Sequence, residues 1–418
     1  MTSMKISSKK ILKTVETKGF ATLLTGNIMV SFISLVFYPV LTRLYSPGEF
    51  GVFASFMVVM AFTSIISSLQ LHAFLPIPSS KDEAKHLFQN SLGLLTLSTA
   101  FLVVAVSSIY FLDLKIIVKG YDIKGILFFL PIYSFLVGLN EIFKANNIRN
   151  KHFYINAKAT NVNRVFANLI KVALSFSLKS VGLVLGDIAG LMLSAGIYKR
   201  NSSADLTRPR IDFSFIKKYF KRGIFSTYSA TLNQLIIDLP MVFVGAMFSI
   251  ELMGAFLVSY KIILQPSLIL GSSLAGAVFR KMNEVDAVTG ALRRYFFRVT
   301  KKVMLLLLPV CLLSALIAED VAVWLLGKSW ESSGNFAKYF VLLVPFKVLS
   351  ALTYNLFLTI DKVQYLALKK TFNIVLVVSV FMLAEGLDNI LTFLVGGEVL
   401  ISVIFYFFGL AWTAKKND

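Results

Sequence analysis

Apolar runs of helix-spanning length recur along the chain from residue 19 to residue 413, broken by short polar or basic connections. Each run is roughly the 20 residues that cross a bilayer core as a helix. Backbone in hydrocarbon must satisfy its own hydrogen bonds, so these runs read as helices. The residue-by-residue alternation of a membrane barrel is absent. The pattern predicts an all-α, polytopic membrane protein with twelve spans. They lie near 19–42, 51–77, 88–112, 125–145, 161–179, 182–198, 223–247, 254–279, 301–318, 336–358, 371–387 and 393–413. Only the short turn Lys179–Val181 separates the fifth from the sixth.

The pattern repeats. Residues 41–56, LTRLYSPGEFGVFASF, have a degraded copy 203 positions on, in 244–259, VGAMFSIELMGAFLVS. Ser46 aligns with Ser249, Phe50 with Met253, Gly51 with Gly254 and Phe53 with Phe256. Both copies fall in the tight hairpin between the first two spans of a six-span half. Six is even, so the halves enter the membrane in the same sense, as a parallel repeat. The expected organisation is a six-helix bundle over 1–198, a basic cytoplasmic linker over 199–222 and a second six-helix bundle over 223–418. The last part of the linker, Phe213–Arg222, reads either as an amphipathic helix on the inner leaflet or as solvated chain.

Composition agrees with the pattern. The 418 residues are 56% hydrophobic and 15% charged, too little charge for a soluble surface. Most of the 42 lysines and arginines fall in the N-terminal segment, the even-numbered connections and the C-terminus. That bias places both termini in the cytoplasm. It also accounts for the +20 formal charge without nucleic acid as a partner. No small-residue cleavage site follows the first apolar run, so no cleaved signal peptide is expected. The lone Cys311 allows no intramolecular disulfide. His72, His86 and His152 have no metal-ligand spacing, and no metal or cofactor is expected. Gly327-Lys328-Ser329 resembles the end of a phosphate loop, but the spacing requires glycine where Ala322 stands.

Charges inside spans are costly and are therefore candidate functional groups. In the fifth span Arg164, Asn168, Lys171 and Ser175 fall at i, i+4, i+7 and i+11, a single polar stripe. The stripe can wall an aqueous, cationic cavity. Arg164 can equally snorkel to the surface. Asp238 and Lys261 reach similar depth on the hairpin of spans seven and eight, about 16–18 Å from its turn. They form either a structural ion pair or a site that switches partners. Lys347 shares a face with Ser350 and Tyr354. Glu141 and Lys144 lie at i, i+3 beside Asn140. Arg43 belongs near the outer mouth. Asp187 sits in a Gly182/Gly186/Gly190 ladder suited to close helix packing. The candidate cations are thus Lys171, Lys261, Lys347, Arg164, Lys144 and Arg43. The candidate ion-pair or coupling carboxylates are Asp238, Glu141 and Asp187.

The run Pro39–Phe53, PVLTRLYSPGEFGVF, resembles the first-hairpin signature of the polysaccharide-transporter family. These are the Wzx-type O-antigen flippases of the multidrug/oligosaccharidyl-lipid/polysaccharide exporter superfamily. Residues 71–92 and Asn147–Phe153 resemble that family's first two cytoplasmic loops. Asp238–Gly245 with Gly254 resembles its seventh-to-eighth-span pattern, and Leu326–Trp330 its outer loop before span ten. The resemblance implies two six-helix bundles around a central cavity. The implied substrate is an undecaprenyl-diphosphate-linked oligosaccharide, moved from inner to outer leaflet of a bacterial inner membrane. A polymerase and a chain-length regulator of the same pathway are the implied partners. The chain departs from the pattern at Leu239, where the family carries a cation.

The reading is a non-enzymatic flippase working by alternating access. Three alternatives stand beside it, the first a passive assembly scaffold, which composition permits but which leaves the span-five stripe unexplained. A drug/cation antiporter of the related multidrug family would take cationic substrates, against which the lysine-rich spans argue. An O-antigen polymerase, a membrane glycosyltransferase, would need a large outer loop, and the longest outer connection here is about 319–335.

Overall fold

The computed structural model describes residues 35–201, 209–284 and 291–413, with Met29 and Ile33. Apart from one short β-hairpin, Ile117–Val118 (β1) with Tyr121–Asp122 (β2), its elements are helices. The first described helix, Leu35–Leu44 (α1), leads into Pro47–Ser67 (α2). A 3-10 turn, Leu71–Phe74, precedes Lys81–Phe111 (α3). Then come Lys124–Leu127 (α4), Leu130–Arg149 (α5), Phe153–Asn201 (α6) and Phe213–Met247 (α7). Ile250–Ser259 (α8) passes through a π-helical turn, Tyr260–Leu264, into Gln265–Glu284 (α9). The remainder is Ala291–Leu316 (α10), Ala318–Leu326 (α11), Glu331–Thr359 (α12), Gln364–Leu383 (α13) and Leu387–Trp412 (α14).

Among the described residues nine helices are long and apolar enough to cross a membrane, and the protein is a multi-pass helical membrane protein. α5 has the length but carries Asn140, Glu141, Lys144 and Arg149. α6 counts once but makes two passes. Its backbone leaves helical geometry at Lys179, φ 45° and ψ −135°. Across that point Gly186 packs on Lys171 and Ala167, and Gly190 on Asn163 and Ala167. Residue numbers that rise on one arm fall on the other, so α6 is an antiparallel hairpin folded at Lys179. A Cβ at either glycine would collide with the facing arm, which is why the arms can lie so close.

The chain divides into two compact units. One holds Val52–Gln234 with the described residues up to Phe37; the other holds Tyr38–Gly51 and Leu235 onward. Within the first, the apolar core joins Leu71, Leu87, Leu95, Ile142, Phe143 and Tyr198. Within the second, it joins Val278, Phe296, Leu352, Leu356, Phe357 and Leu410.

Residues 213–222 form no separate surface helix. They are the opening turns of α7, and they are stapled to the start of α3. Lys218 Nζ lies 2.5 Å from Glu83 Oε1, and the Tyr219 hydroxyl donates to the same carboxylate at 2.8 Å. The Asp212 backbone N–H donates to Asn90 Oδ1 at 2.7 Å. Asp212 also caps α7, accepting from the Ser214 hydroxyl at 2.6 Å and from the Phe215 N–H at 3.2 Å. Those bonds, the Ser214 hydroxyl first, hold its carboxyl below the usual range.

The repeated hairpin has a structural counterpart in the second unit. A Cβ on Gly51 would run into the carbonyl of Ile250, and one on Gly254 into the carbonyl of Pro47. Pro47 and Ile250 are themselves 203 positions apart. The contact is therefore reciprocal, as in a two-fold interface: each copy's glycine receives the other copy's helix start. Around it, Phe50 meets Trp330 edge-on at 5.2 Å, and the Trp330 indole N–H donates to the Thr42 carbonyl at 2.7 Å. Trp330 is fully buried.

Candidate functional site

In the first unit the two arms of the α6 hairpin bring Lys171 and Asp187 together. Lys171 Nζ lies 2.7 Å from Asp187 Oδ1, with both side chains about 10% exposed. The ammonium also stands 5.2 Å above the Phe53 ring. From α5 the Tyr133 hydroxyl donates to Asp187 Oδ2 at 3.3 Å. Arg164 lies within electrostatic range of the same tyrosine. The glycine ladder is what admits this geometry, because Gly186 lets the Lys171 side chain pass across its face. Of the span-five stripe, Lys171 and Asn168 are buried while Arg164 is only partly buried.

Below this pair a neutral network continues along α5 and α6. Ser194 Oγ donates to Asn140 Oδ1 at 2.6 Å, Asn140 Nδ2 to the Leu191 carbonyl at 3.1 Å, and Asn163 Nδ2 reaches Ser194 at 3.4 Å. Glu141 and Lys144 pair at 3.3 Å, both half-exposed. They flank His72, whose Nδ1 is 3.1 Å from the Ser68 hydroxyl. Burial pushes the His72 imidazole below its usual value; Glu141 opposes the shift and Lys144 adds to it.

In the second unit Lys347 on α12 lies 2.6 Å from Glu398 on α14. Lys369 on α13 donates to Ser350 Oγ at 2.7 Å, and Ser350 meets Ser402 at 3.0 Å. Glu398 and Lys347 both act electrostatically on Lys369. Three helices thus bring two lysines to one glutamate. Asp238 is buried, and it and Glu398 both act on Tyr260. Lys261 follows Tyr260 in the π-helical turn, a distortion of the sort found at functional sites. Arg43 is exposed and reaches the Trp324 carbonyl at 3.5 Å.

Two charged residues of this cluster escaped the sequence reading. Lys369 lies just before the apolar run 371–387, and the helix that carries it starts at Gln364. Glu398 lies in the twelfth apolar run and is a carboxylate at span depth, a signal the rule for intramembrane charge would have caught. Tyr354 is exposed, although Ser350 on the same face joins the cluster.

The geometry is that of a multi-pass helical membrane protein with charge held inside its spans. The family model for polysaccharide biosynthesis proteins matches residues 40–335. The chain belongs to that family. No curated protein matches it in sequence. Its fold is shared with solved transporters. One is an inward-facing multidrug resistance MATE family transporter of the MOP superfamily, at 15% identity and TM-score 0.62, covering 95% of this chain and 96% of that one. Another is the lipid II flippase MurJ in an inward closed conformation, at 11% identity and TM-score 0.67, covering 97% and 87%. A third is a MOP superfamily transporter from Pyrococcus furiosus, at 14% identity and TM-score 0.58, covering 95% and 96%. At these identities the likeness establishes the fold alone: this member of the polysaccharide biosynthesis family shares the helical fold of these solved transporters.

Proposed function

We propose that the protein is a flippase that carries an anionic, polyprenyl-diphosphate-linked oligosaccharide from the inner to the outer leaflet of a bacterial inner membrane. The supporting observation is the charge inside the spans of the second unit. Lys261, Lys347 and Lys369 lie there with Asp238 and Glu398, so lysine exceeds carboxylate. Excess cation at span depth is costly unless an anion joins it. A diphosphate supplies that anion, and acidic sugars add to it. The same balance disfavours a cationic drug as cargo.

Transport follows from alternating access, in which two helical bundles rock about the bound headgroup. The polar glycan passes through protein while the polyprenyl tail stays in lipid. In this scheme Lys171 with Asp187, and Lys347 with Glu398, are held pairs that an incoming phosphate can re-partner. Arg164, Lys144, Arg43 and Glu141 are weaker candidates on this reading, because none of them is buried. The two halves act as the units of motion, with 199–222 as the cytoplasmic connection.

The test is a deletion strain assayed for where its lipid-linked glycan accumulates. The expected result is complete repeat units trapped on the inner leaflet, released by the restored gene. Single units accumulating on the outer leaflet would instead identify a polymerase and defeat the proposal.

A further inference from the structure

The start of α7 carries a second polar stripe. Arg222, Ser226, Ser229 and Asn233 fall at i, i+4, i+7 and i+11, the same spacing as Arg164, Asn168, Lys171 and Ser175. Here the stripe opens onto a cavity of about 1000 Å³ within the first unit. Its rim is Lys221 and Arg222, both exposed. Its walls are aromatic: Phe225 is 73% exposed, Tyr228 59%, and Phe74 stands opposite from the 3-10 turn. Ser226, Ser229 and Asn233 supply hydroxyl and amide groups further along, the last about 16 Å along the helix from Arg222.

Aromatic rings beside two cations suit a particular ligand. A guanidinium binds phosphate oxygens in bidentate fashion, and lysine adds point charge. Aromatic faces, hydroxyls and an amide suit the apolar faces and hydroxyl edges of sugar rings. We infer that this cavity is a loading site for the phosphorylated end of the lipid-linked glycan, with Arg222 and Lys221 on the phosphates and the Phe225–Tyr228 face on the first sugars. The inference rests on the flippase reading and gives it a point of entry. The site is built on a fixed element, because Glu83, Tyr219, Lys218 and Asn90 clamp the preceding turns of α7. Placing its cations first in the chain direction of α7, beside the basic connection 199–222, puts the mouth on the cytoplasmic side.

The experiment uses the full chain in phosphatidylcholine nanodiscs and a fluorescent farnesyl-diphosphate-linked disaccharide as probe. Lys221→Gln with Arg222→Gln is expected to weaken binding about ten-fold or more. Phe225→Ala is expected to weaken the glycosylated probe by several-fold while leaving farnesyl diphosphate unchanged. Lys217→Gln, on the same helix but away from the cavity, is expected to stay within about two-fold of wild type. Unfolding temperatures measured on each variant separate lost binding from lost fold. Wild-type binding that survives the double substitution overturns the site and leaves the flippase reading standing. A wild-type protein that does not bind the probe overturns both. Competition by excess phosphatidylglycerol at the potency of the probe would make the cavity a bulk-lipid site and defeat the inference.

Discussion

Lys171 and Asp187 are separated by 2.7 Å and are each about nine-tenths buried. Removing one partner of such a pair leaves an uncompensated charge, at a cost of about 3–5 kcal/mol in soluble proteins. The stripe in the sequence suggests a cation waiting for substrate; the structure adds that this cation already holds a carboxylate. Lys171→Ala should therefore lower abundance and the unfolding temperature of the purified protein, as well as export. Lys171→Met combined with Asp187→Asn should restore most of the stability, since neither charge is then stranded. Strictly additive losses in the two single variants and the double would show that the groups are not coupled. Export that stays low after stability returns would place the pair in transport rather than in folding alone. The sequence could show both residues but not their meeting, because the pairing depends on where α6 folds back on itself.

Helices were the most legible elements, and hairpins the most informative. Periods of apolar residues marked the spans, since a bilayer imposes one length on every crossing. Ends were less visible: α10 begins at Ala291 and α12 at Glu331, each several residues before its apolar run, because a helix continues through polar residues once started. The repeated Gly51 and Gly254 were visible as a match, and their use was not. Each lies where the other copy's backbone passes, which no alignment of the two stretches reveals. Gly254→Ala should place a methyl group on the Pro47 carbonyl and cost about 1–3 kcal/mol through forced backbone shifts. Gly51→Ala should behave alike against Ile250. Gly196→Ala is the control, since nothing lies within 4 Å of a Cβ there and helix propensity favours alanine. Thermal unfolding of the three purified variants decides the matter. Equal melting of all three would mean the hairpin contact is loose.

At the scale of the whole molecule, orientation is the property on which every functional statement depends. The lysine and arginine bias predicts it by a mechanism independent of packing: basic loops resist translocation during insertion. The 3-10 turn and the start of α3 should then face the cytoplasm, whereas the α1–α2 hairpin and the turn before α12 should face out. Ser46, Ser80 and Ser332 are all exposed, so a cysteine at any of them is reachable by reagent from its own side. Cys311 is buried, and replacing it first removes background. Cysteines at 46 and 332 should react with a membrane-impermeant maleimide added to intact spheroplasts; a cysteine at 80 should react only after lysis. The three positions also test the span count between them. Residues 46 and 80 are separated by one crossing, α2, and must label from opposite sides. Residues 46 and 332 share a side only if an even number of crossings separates them, which, with α5 counted as a crossing, requires α6 to cross twice. Labelling at 332 from the inside while 46 labels from outside would mean that either α5 does not cross or α6 crosses once, and a cysteine at position 179 that labels only from the inside would keep the hairpin and remove α5. Labelling at 80 from outside together with 46 from inside would invert the protein and with it the direction of the proposed transport.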